Sequence, residues 1–258
     1  MVSNNNREKY WNEEYYMYWK SRVEEANKLI KGKSKIVNHD SITISDLVYK
    51  DLLNQISPTK GTLLDVGCGW GRHFPLYAKY NMKIYGVDIS SKMIEEAKSN
   101  FGHVVAEIKK STAENIDYSN NSFDYVCCFG VFDATDQNKS LSDMIRVAKL
   151  NGKIIITGKN DNYHDDDNAA LAAEIGARKK GEPNFFTNTK NMINQLENND
   201  HKLIITNFYL RRGDFAKNQY EEKIPEKFYE YLLVFEKDSE KRDFSEFSSE
   251  YSIVNKTL

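Results

Sequence analysis

Proline is scarce in this chain. Its four prolines, at positions 58, 75, 183 and 225 of 258 residues, are all isolated. That excludes a proline-rich linker or an extended recognition tract. Cysteine is scarcer still, with Cys68, Cys127 and Cys128 alone. Three cysteines make no disulfide framework, and their spacing matches no metal motif. Cys127 and Cys128 are neighbours in an apolar stretch, and neighbours on a strand face opposite ways. They read as small buried hydrophobes in a reducing compartment. No run approaches the ~18 apolar residues of a membrane helix, and the start has no secretory pattern. A cytoplasmic protein with no membrane partner is expected. Neither sign of charge dominates: 36 basic against 38 acidic residues give a net charge of −2. Nothing electrostatic points to nucleic acid. Asparagine and lysine are abundant throughout, so a lysine cluster is no evidence of a binding patch.

Glycine is also modest in number, yet three glycines crowd into five positions. Leu63-Leu64-Asp65-Val66 reads as a buried parallel strand, and Gly67-Cys68-Gly69-Trp70-Gly71 follows it. Glycines there let the backbone turn sharply and approach a ligand closely. Seventeen residues after Gly71, Asp88 ends a second strand pattern, Lys83-Ile84-Tyr85-Gly86-Val87-Asp88. A carboxylate at that place suits both hydroxyls of a ribose. Glycine turn and ribose carboxylate together indicate a nucleoside-containing cofactor. The spacing is G-x-G-x-G, and Arg72 stands where a dinucleotide fingerprint needs its third glycine.

The segment Asp65-Val66-Gly67-Cys68-Gly69-Trp70-Gly71 resembles the first motif of class I S-adenosylmethionine (SAM) dependent methyltransferases. Ser111-Thr112-Ala113-Glu114-Asn115-Ile116 is similar to the family's adenine segment, with Thr112 replacing the usual aspartate. Residues 121–132 are similar to the fourth strand and its turn, and residues 142–156 to the helix, turn and fifth strand. The similarity covers roughly residues 60–160, in order. It implies SAM as cofactor and S-adenosylhomocysteine (SAH) as co-product. By that resemblance Asp65, Gly67, Cys68 and Gly69 shape the methionine site, and Asp88 with Ile89 holds the ribose. Thr112, Ala113 and Glu114 flank the adenine, and Gly130 with Val131 continues the wall. The chain lacks the Asn/Asp-Pro-Pro-Tyr/Phe tetrapeptide of base-modifying methyltransferases.

An α/β fold of the Rossmann-like class I methyltransferase type follows: a seven-stranded, mostly parallel sheet with the last strand antiparallel, an N-terminal helical lid, and inserted helices after strand five. Strands and helices alternate from 62 to 157, and two further strands read as 202–210 and 228–236. That final pair argues against a nicotinamide-dependent dehydrogenase. Residues 1–56 are read as the lid segment, 57–237 as the catalytic domain with a substrate-shaping insert at 158–198, and 238–258 as a charged tail without a core pattern. A helix over 7–32 is expected, followed by a second near 46–56.

The acceptor is expected outside the carboxyl ends of the strands. On the lid, Tyr15 is the candidate substrate contact and Tyr18 the candidate cofactor contact, and Arg22 offers a partner for an anion. Two mechanisms fit the turns after strands four and five. In one, His164 is a general base that takes a proton from an acceptor hydroxyl, because a histidine near its ordinary pKa suits that task; Asp133 is the other catalytic candidate. In the other, Asp133, Asp161 and Asn162 bind a divalent cation, Mg²⁺ for an all-oxygen set. Asp165-Asp166-Asp167 reads as a helix cap. Tyr163, Arg178 and Arg211 are substrate candidates, since arginine forks suit phosphate. The Tyr-Trp-rich start loosely resembles bacterial enzymes that decorate surface-polysaccharide precursors. The resulting expectation is O-methylation of a small phosphorylated or nucleotide-linked sugar. A small-molecule N-methyltransferase and a non-catalytic SAM-binding protein are the alternatives, and the oligomeric state is left open.

Overall fold

The structure, a computed structural model, describes residues 4–18, 20, 21, 42–179 and 184–255. Trp19, Arg22, the expected helix from 22 to 32 and the segment to 41 lie outside the described residues.

Seven strands form one sheet: β1 (Thr62–Val66), β2 (Lys83–Asp88), β3 (Glu107–Lys110), β4 (Phe123–Cys128), β5 (Ala148–Lys159), β6 (Lys202–Tyr209) and β7 (Glu230–Glu236). Their order is 3-2-1-4-5-7-6. The first five run parallel, and β7 runs antiparallel to both β5 and β6. The order reverses at β1, so the carboxyl ends of β1 and β4 open a crevice there.

Alternation along the strands builds two cores, one on each face. Ile154 and Ile156 of β5 join one face with Leu64, Leu233 and Phe235. Ile155 joins the other with Leu63, Leu232 and Val234. Cys127 and Cys128 divide between the two faces in the same way, and both thiols are free. The second face is covered by α2 (Ile42–Ile56), through Val48, Tyr49, Leu52 and Leu53, and by α3 (Ser91–Phe101). The first is covered by α4 (Gln137–Val147) and α6 (Thr189–Asn198). Polar side chains start these helices: Ser90 Oγ accepts from Met93 N before α3, Asp136 from Lys139 N before α4, and Asn188 from Asn191 N before α6. Each cap satisfies an amide that the helix itself leaves open.

Between β5 and α6 lies α5 (Asn168–Lys179). Asp167 starts it, its Oδ1 accepting from Ala170 N at 3.1 Å, which is the cap expected of the acidic run. Glu174 of α5 is buried, and it anchors two residues expected in a substrate site. Tyr163 Oη donates to Glu174 Oε2 at 2.8 Å, and Arg178 pairs with Glu174 Oε1 at 2.6 Å. Ser252 Oγ also donates to Glu174, and the Arg178 guanidinium lies 3.6 Å from the Tyr251 ring centre. Tyr163 and Arg178 therefore hold the insert to the end of the chain.

That end is no loose tail. Phe247 is buried in the main core, and Ser248–Ser249 pairs with Phe186–Thr187 in a two-stranded ribbon. Burying one phenylalanine contributes about 2 kcal/mol, which offsets ordering of an otherwise polar segment. Among the described residues no helix is long and apolar enough to cross a membrane.

Removing Arg178 leaves a buried carboxylate with less charge compensation. Arg178→Ala is expected to cost about 2 kcal/mol of stability in urea unfolding, and Arg178→Lys should restore about half of it.

Candidate functional site

The glycine loop is a left-handed turn anchored to β2. Gly67 and Gly69 have φ of +73° and +53°. Gly67 N and Cys68 N both donate to the Val87 carbonyl, at 2.8 and 3.0 Å. A Cβ on Gly67 would stand 2.6 Å from both Val131 methyls, so packing forbids a side chain there. A Cβ on Gly69 would meet nothing within 4 Å. That face of the loop opens into a cavity of about 280 Å³. Asp88 closes the loop from the other side: Oδ2 accepts from Gly69 N at 2.9 Å and Oδ1 from Ser90 N at 2.8 Å.

The cavity is lined by Gly67, Cys68, Gly69, Asp88, Ile89, Thr112, Ala113, Gly130 and Val131, all from the segments expected around a cofactor. Sequence reasoning missed Trp70, Arg72, His73, Met93 and Phe129, which line it too. Burial pushes the Cys68 thiol well above its ordinary range, so it offers no nucleophile.

The first helix, α1 (Asn4–Tyr10), continues through a π-helical turn, Trp11–Tyr15, and covers the cavity. Such turns favour functional sites. Trp11 and Tyr15 both line the cavity, with ring centres 4.2 Å apart. Contacts from Arg7 and Asn12 hold the helix down, beside an ion pair between Glu8 and Lys110. The Arg7 guanidinium pairs with Glu114 at 2.8 Å and donates to the Ala134 carbonyl at 3.0 Å. Asn12 Oδ1 accepts from Ser90 Oγ at 2.7 Å. Glu114 thus anchors the lid and caps toward Asp136 N, and it does not line the cavity. Tyr18 is 45% exposed and lies off the cavity.

Beneath the loop, Asp65 is buried, and its Oδ2 has no hydrogen bond among the described residues. The nearest cation-forming group is His73 Nδ1, at 4.0 Å. Burial raises the Asp65 carboxyl to about 8, and the Asp88 carboxylate adds to the shift. Burial lowers His73 to about 3, helped by the Arg72 guanidinium, so the imidazole is neutral. A buried acid, held in its neutral form, therefore lies below the glycine loop.

A second cavity, of about 240 Å³, opens at the ends of β5 and β7. It shares only Tyr49 and Gly130 with the first. Gly130 N donates to Thr157 Oγ1 at 2.8 Å, and Tyr49 stacks on Phe129 at 4.0 Å. Asp133, Lys159, Phe215, Glu230 and Tyr231 complete the wall.

Several expected site residues lie elsewhere. His164 bounds neither cavity, since its turn leads into α5. Arg211 is on the surface, pairing with Asp166 at 3.0 Å. Asp133 does reach the second cavity, but it faces Lys159 Nζ at 2.8 Å. Asn162 donates instead to the Glu226 carbonyl. Asp133 and Asn162 are thus engaged elsewhere, and no three His, Cys, Asp or Glu side chains gather as metal ligands among the described residues. The loop after β5 turns away at Asn160, whose side chain bonds Asn162 O and Thr189 Oγ1, and this carries the expected ligands out of the crevice. Lys159 and Glu230 carried a positional signal, because they sit where strands open on the crevice. Tyr49 carried none, since it precedes every motif.

This architecture is the Rossmann-like fold of class I methyltransferases. A SAM-dependent methyltransferase from Thermotoga maritima, described as a possible histamine N-methyltransferase, superposes with a TM-score of 0.56 at 20% identity, over 76% of this chain and 90% of that one. Magnesium protoporphyrin IX methyltransferase from Synechocystis, solved with bound SAH, superposes with a TM-score of 0.59 at 16% identity, over 91% of this chain and 99% of that one. Residues 64–156 match a family described as "Methyltransferase domain". Among curated relatives, the uncharacterized methyltransferase YcgJ of Bacillus subtilis is 28% identical, over 41% of this chain and 42% of its own. Demethylmenaquinone methyltransferase of Anoxybacillus flavithermus is 32% identical, over 41% of this chain and 48% of its own. The chain thus spans less than half the length of these two relatives. Together the matches show that this chain shares the fold of class I methyltransferases and that residues 64–156 are similar to their methyltransferase domain.

The Asp65 shift has a signed consequence. A carboxyl raised in the fold stabilises it fully below the unfolded value near 4 and loses that contribution as pH rises toward 8. Asp65→Asn removes this dependence. The variant should match the wild type near pH 4 and exceed it by pH 8, gaining up to roughly 1.4 kcal/mol per pH unit between. Urea unfolding at four pH values reads the difference, and a constant gap would refute the assignment.

Proposed function

We propose that this chain binds SAM in the first cavity and catalyses methyl transfer to a small molecule. One observation carries the reading: the glycine loop, Asp88 and the Thr112–Ala113 segment line a single cavity under an aromatic lid. The residues present fit the cofactor. Gly69 leaves open space where a side chain would stand, Asp88 presents a carboxylate to the cavity, and Asp65 has a buried oxygen without a hydrogen bond. When bound, SAM supplies an electrophilic methyl group on a sulfonium sulfur.

The chain's own residues then have distinct tasks. Asp88 receives the ribose hydroxyls, while Thr112 and Ala113 border the base. The Asp65 carboxyl balances cationic charge above it as it ionises. Trp11 and Tyr15 exclude water, which strengthens every electrostatic contact inside. Much of the barrier reduction comes from orientation alone.

A phosphorylated sugar acceptor rests on Arg178 and Arg211, and neither lines the first or the second cavity. Methylation of oxygen through a His164 base lacks its base in the same way. The acceptor reading therefore moves to the second cavity.

Calorimetric titration with SAM and SAH tests the cofactor assignment. Asp88→Ala removes an acceptor of charge-assisted hydrogen bonds, each roughly 1.5–3 kcal/mol, so SAH affinity should fall at least tenfold. Affinity retained within threefold, in a variant with unchanged circular dichroism, would sink the assignment of Asp88.

A further inference from the structure

The second cavity lies beside the first. Tyr49 and Gly130 wall both and mark where the two spaces meet. A Cβ on Gly130 would meet nothing within 4 Å, and the Gly130 amide donates to the Thr157 hydroxyl at 2.8 Å. A molecule in the second cavity thus faces the first across a place that no side chain fills. The volume, about 240 Å³, lies below the roughly 300–1,000 Å³ typical of drug-sized ligands, so the occupant is small. The rings of Tyr49, Phe215 and Tyr231 border it. Such rings pack offset or edge-to-face against a further aromatic ring.

The polar part of the wall is an ion pair, Asp133 with Lys159, whose side chains are 13% and 26% exposed. Lys159 Nζ stands 2.8 Å from Asp133 Oδ2 and donates to Asn184 Oδ1 at 3.0 Å. Burial works against the Lys159 charge, and the Asp133 carboxylate more than offsets that, so the ammonium persists. The two charges compensate each other, yet the pair is not saturated. An ammonium has three donors and a carboxylate two oxygens. The third Lys159 N–H and Asp133 Oδ1 have no hydrogen-bond partner among the described residues. One donor therefore stands open beside one acceptor. Glu230 borders the cavity too and has a partner of its own. A hydroxyl matches such a pair, because it donates its hydrogen and accepts at the same oxygen. An ammonium offers no acceptor, and a carboxylate or an ether offers no donor.

We propose that the second cavity is the acceptor site and that the Asp133–Lys159 pair receives the hydroxyl of a small phenol. This rests on the methyltransferase reading above and names its acceptor class. The rings on the wall suit an aromatic body, and acidity favours it as well. A phenolic hydroxyl ionises near ~10, as that of tyrosine does, whereas water ionises near ~15.7. A carboxylate paired with an ammonium is a weak base and needs the more acidic hydroxyl. In turnover the phenolic oxygen forms the new O–C bond with its own electron pair as the S–C bond breaks. The O–H proton passes to Asp133 Oδ1, while Lys159 keeps its proton and stabilises the oxygen as charge gathers there. SAH leaves with a neutral sulfur. The methyl ether that forms has lost the donor that Asp133 held, which favours its release.

Binding and turnover test this separately. The protein is first titrated with SAH. The SAH-loaded protein is then titrated with phenol, anisole, benzoate and benzylamine. Phenol is expected to bind at least tenfold more tightly than anisole, which keeps the ring and lacks the donor. Breaking the pair should change the charge preference in opposite directions. Asp133→Asn, which leaves Lys159 uncompensated, should tighten benzoate at least threefold. Lys159→Met, which leaves Asp133 uncompensated, should tighten benzylamine at least threefold. Both should slow methyl transfer from SAM to phenol at least a hundredfold, with SAH affinity unchanged within twofold. Phenol binding no better than anisole, or variants that leave benzoate and benzylamine affinity unchanged, would overturn the phenol assignment and leave the cofactor reading standing. No SAH binding would overturn both. Should either variant fail to fold, the ranking of phenol and anisole on the wild-type protein decides alone.

Discussion

The carboxylate of Asp88 is the contact on which the rest of this site depends. It sits at the end of β2 and accepts one amide from the glycine loop and one from Ser90. Those amides belong to two different segments, so a single side chain sets the distance between loop and α3. Burial raises its pKa, while the amides of Ser90 and Gly69 work to keep it ionised. Ser90 extends the linkage. Its hydroxyl caps α3 and reaches Asn12 of the lid. Cofactor loop, helix start and lid are therefore one hydrogen-bonded unit.

The lid's second tether lies on the far side of the cavity. Arg7 reaches Glu114, whose carboxylate also takes the Asp136 amide ahead of α4. Both partners are mostly buried, with side chains 12% and 13% exposed. An ion pair so shielded is screened less by salt than a surface pair. Glu114 looks like an adenine contact in the sequence because its segment resembles one. Its neighbours Thr112 and Ala113 do line the cavity, and Glu114 points from the same turn toward the lid. One bend of the backbone separates binding the ligand from covering it.

Much of the architecture was legible in the residues, and the reason is periodicity. Ile154, Ile155 and Ile156 form a continuous apolar run, the signature of a strand buried on both faces. The glycine spacing and Asp88 were legible because backbone geometry restricts what can stand there. The acceptor side was not. His164, Tyr163, Arg178 and Arg211 were chosen by residue type and chain position, and each belongs to the insert or its flanking loops. Beyond the local pairs with Glu174, several partners are distant in sequence: Arg178 meets Glu250 O and Tyr251, and Arg211 meets Asp166. No local pattern encodes such pairings. The charged tail hid its role likewise, because Phe244 and Phe247 are too few to make a period.

The insert explains why the arginines are structural. It leaves the sheet after β5 and must be fixed without a large core of its own. Its apolar cluster holds only Tyr163, Ala170, Phe186 and Tyr229 among buried residues. A buried carboxylate, Glu174, takes over that work by collecting a tyrosine hydroxyl, a serine hydroxyl and a guanidinium from three segments. Such an arrangement stabilises only when every partner is present. Lys159 and Glu230, at the open ends of β5 and β7, line the second cavity. Residues at strand ends beside the switch point are under the least demand from the core. There the fold can vary charge and shape for an acceptor while the cofactor side stays constrained.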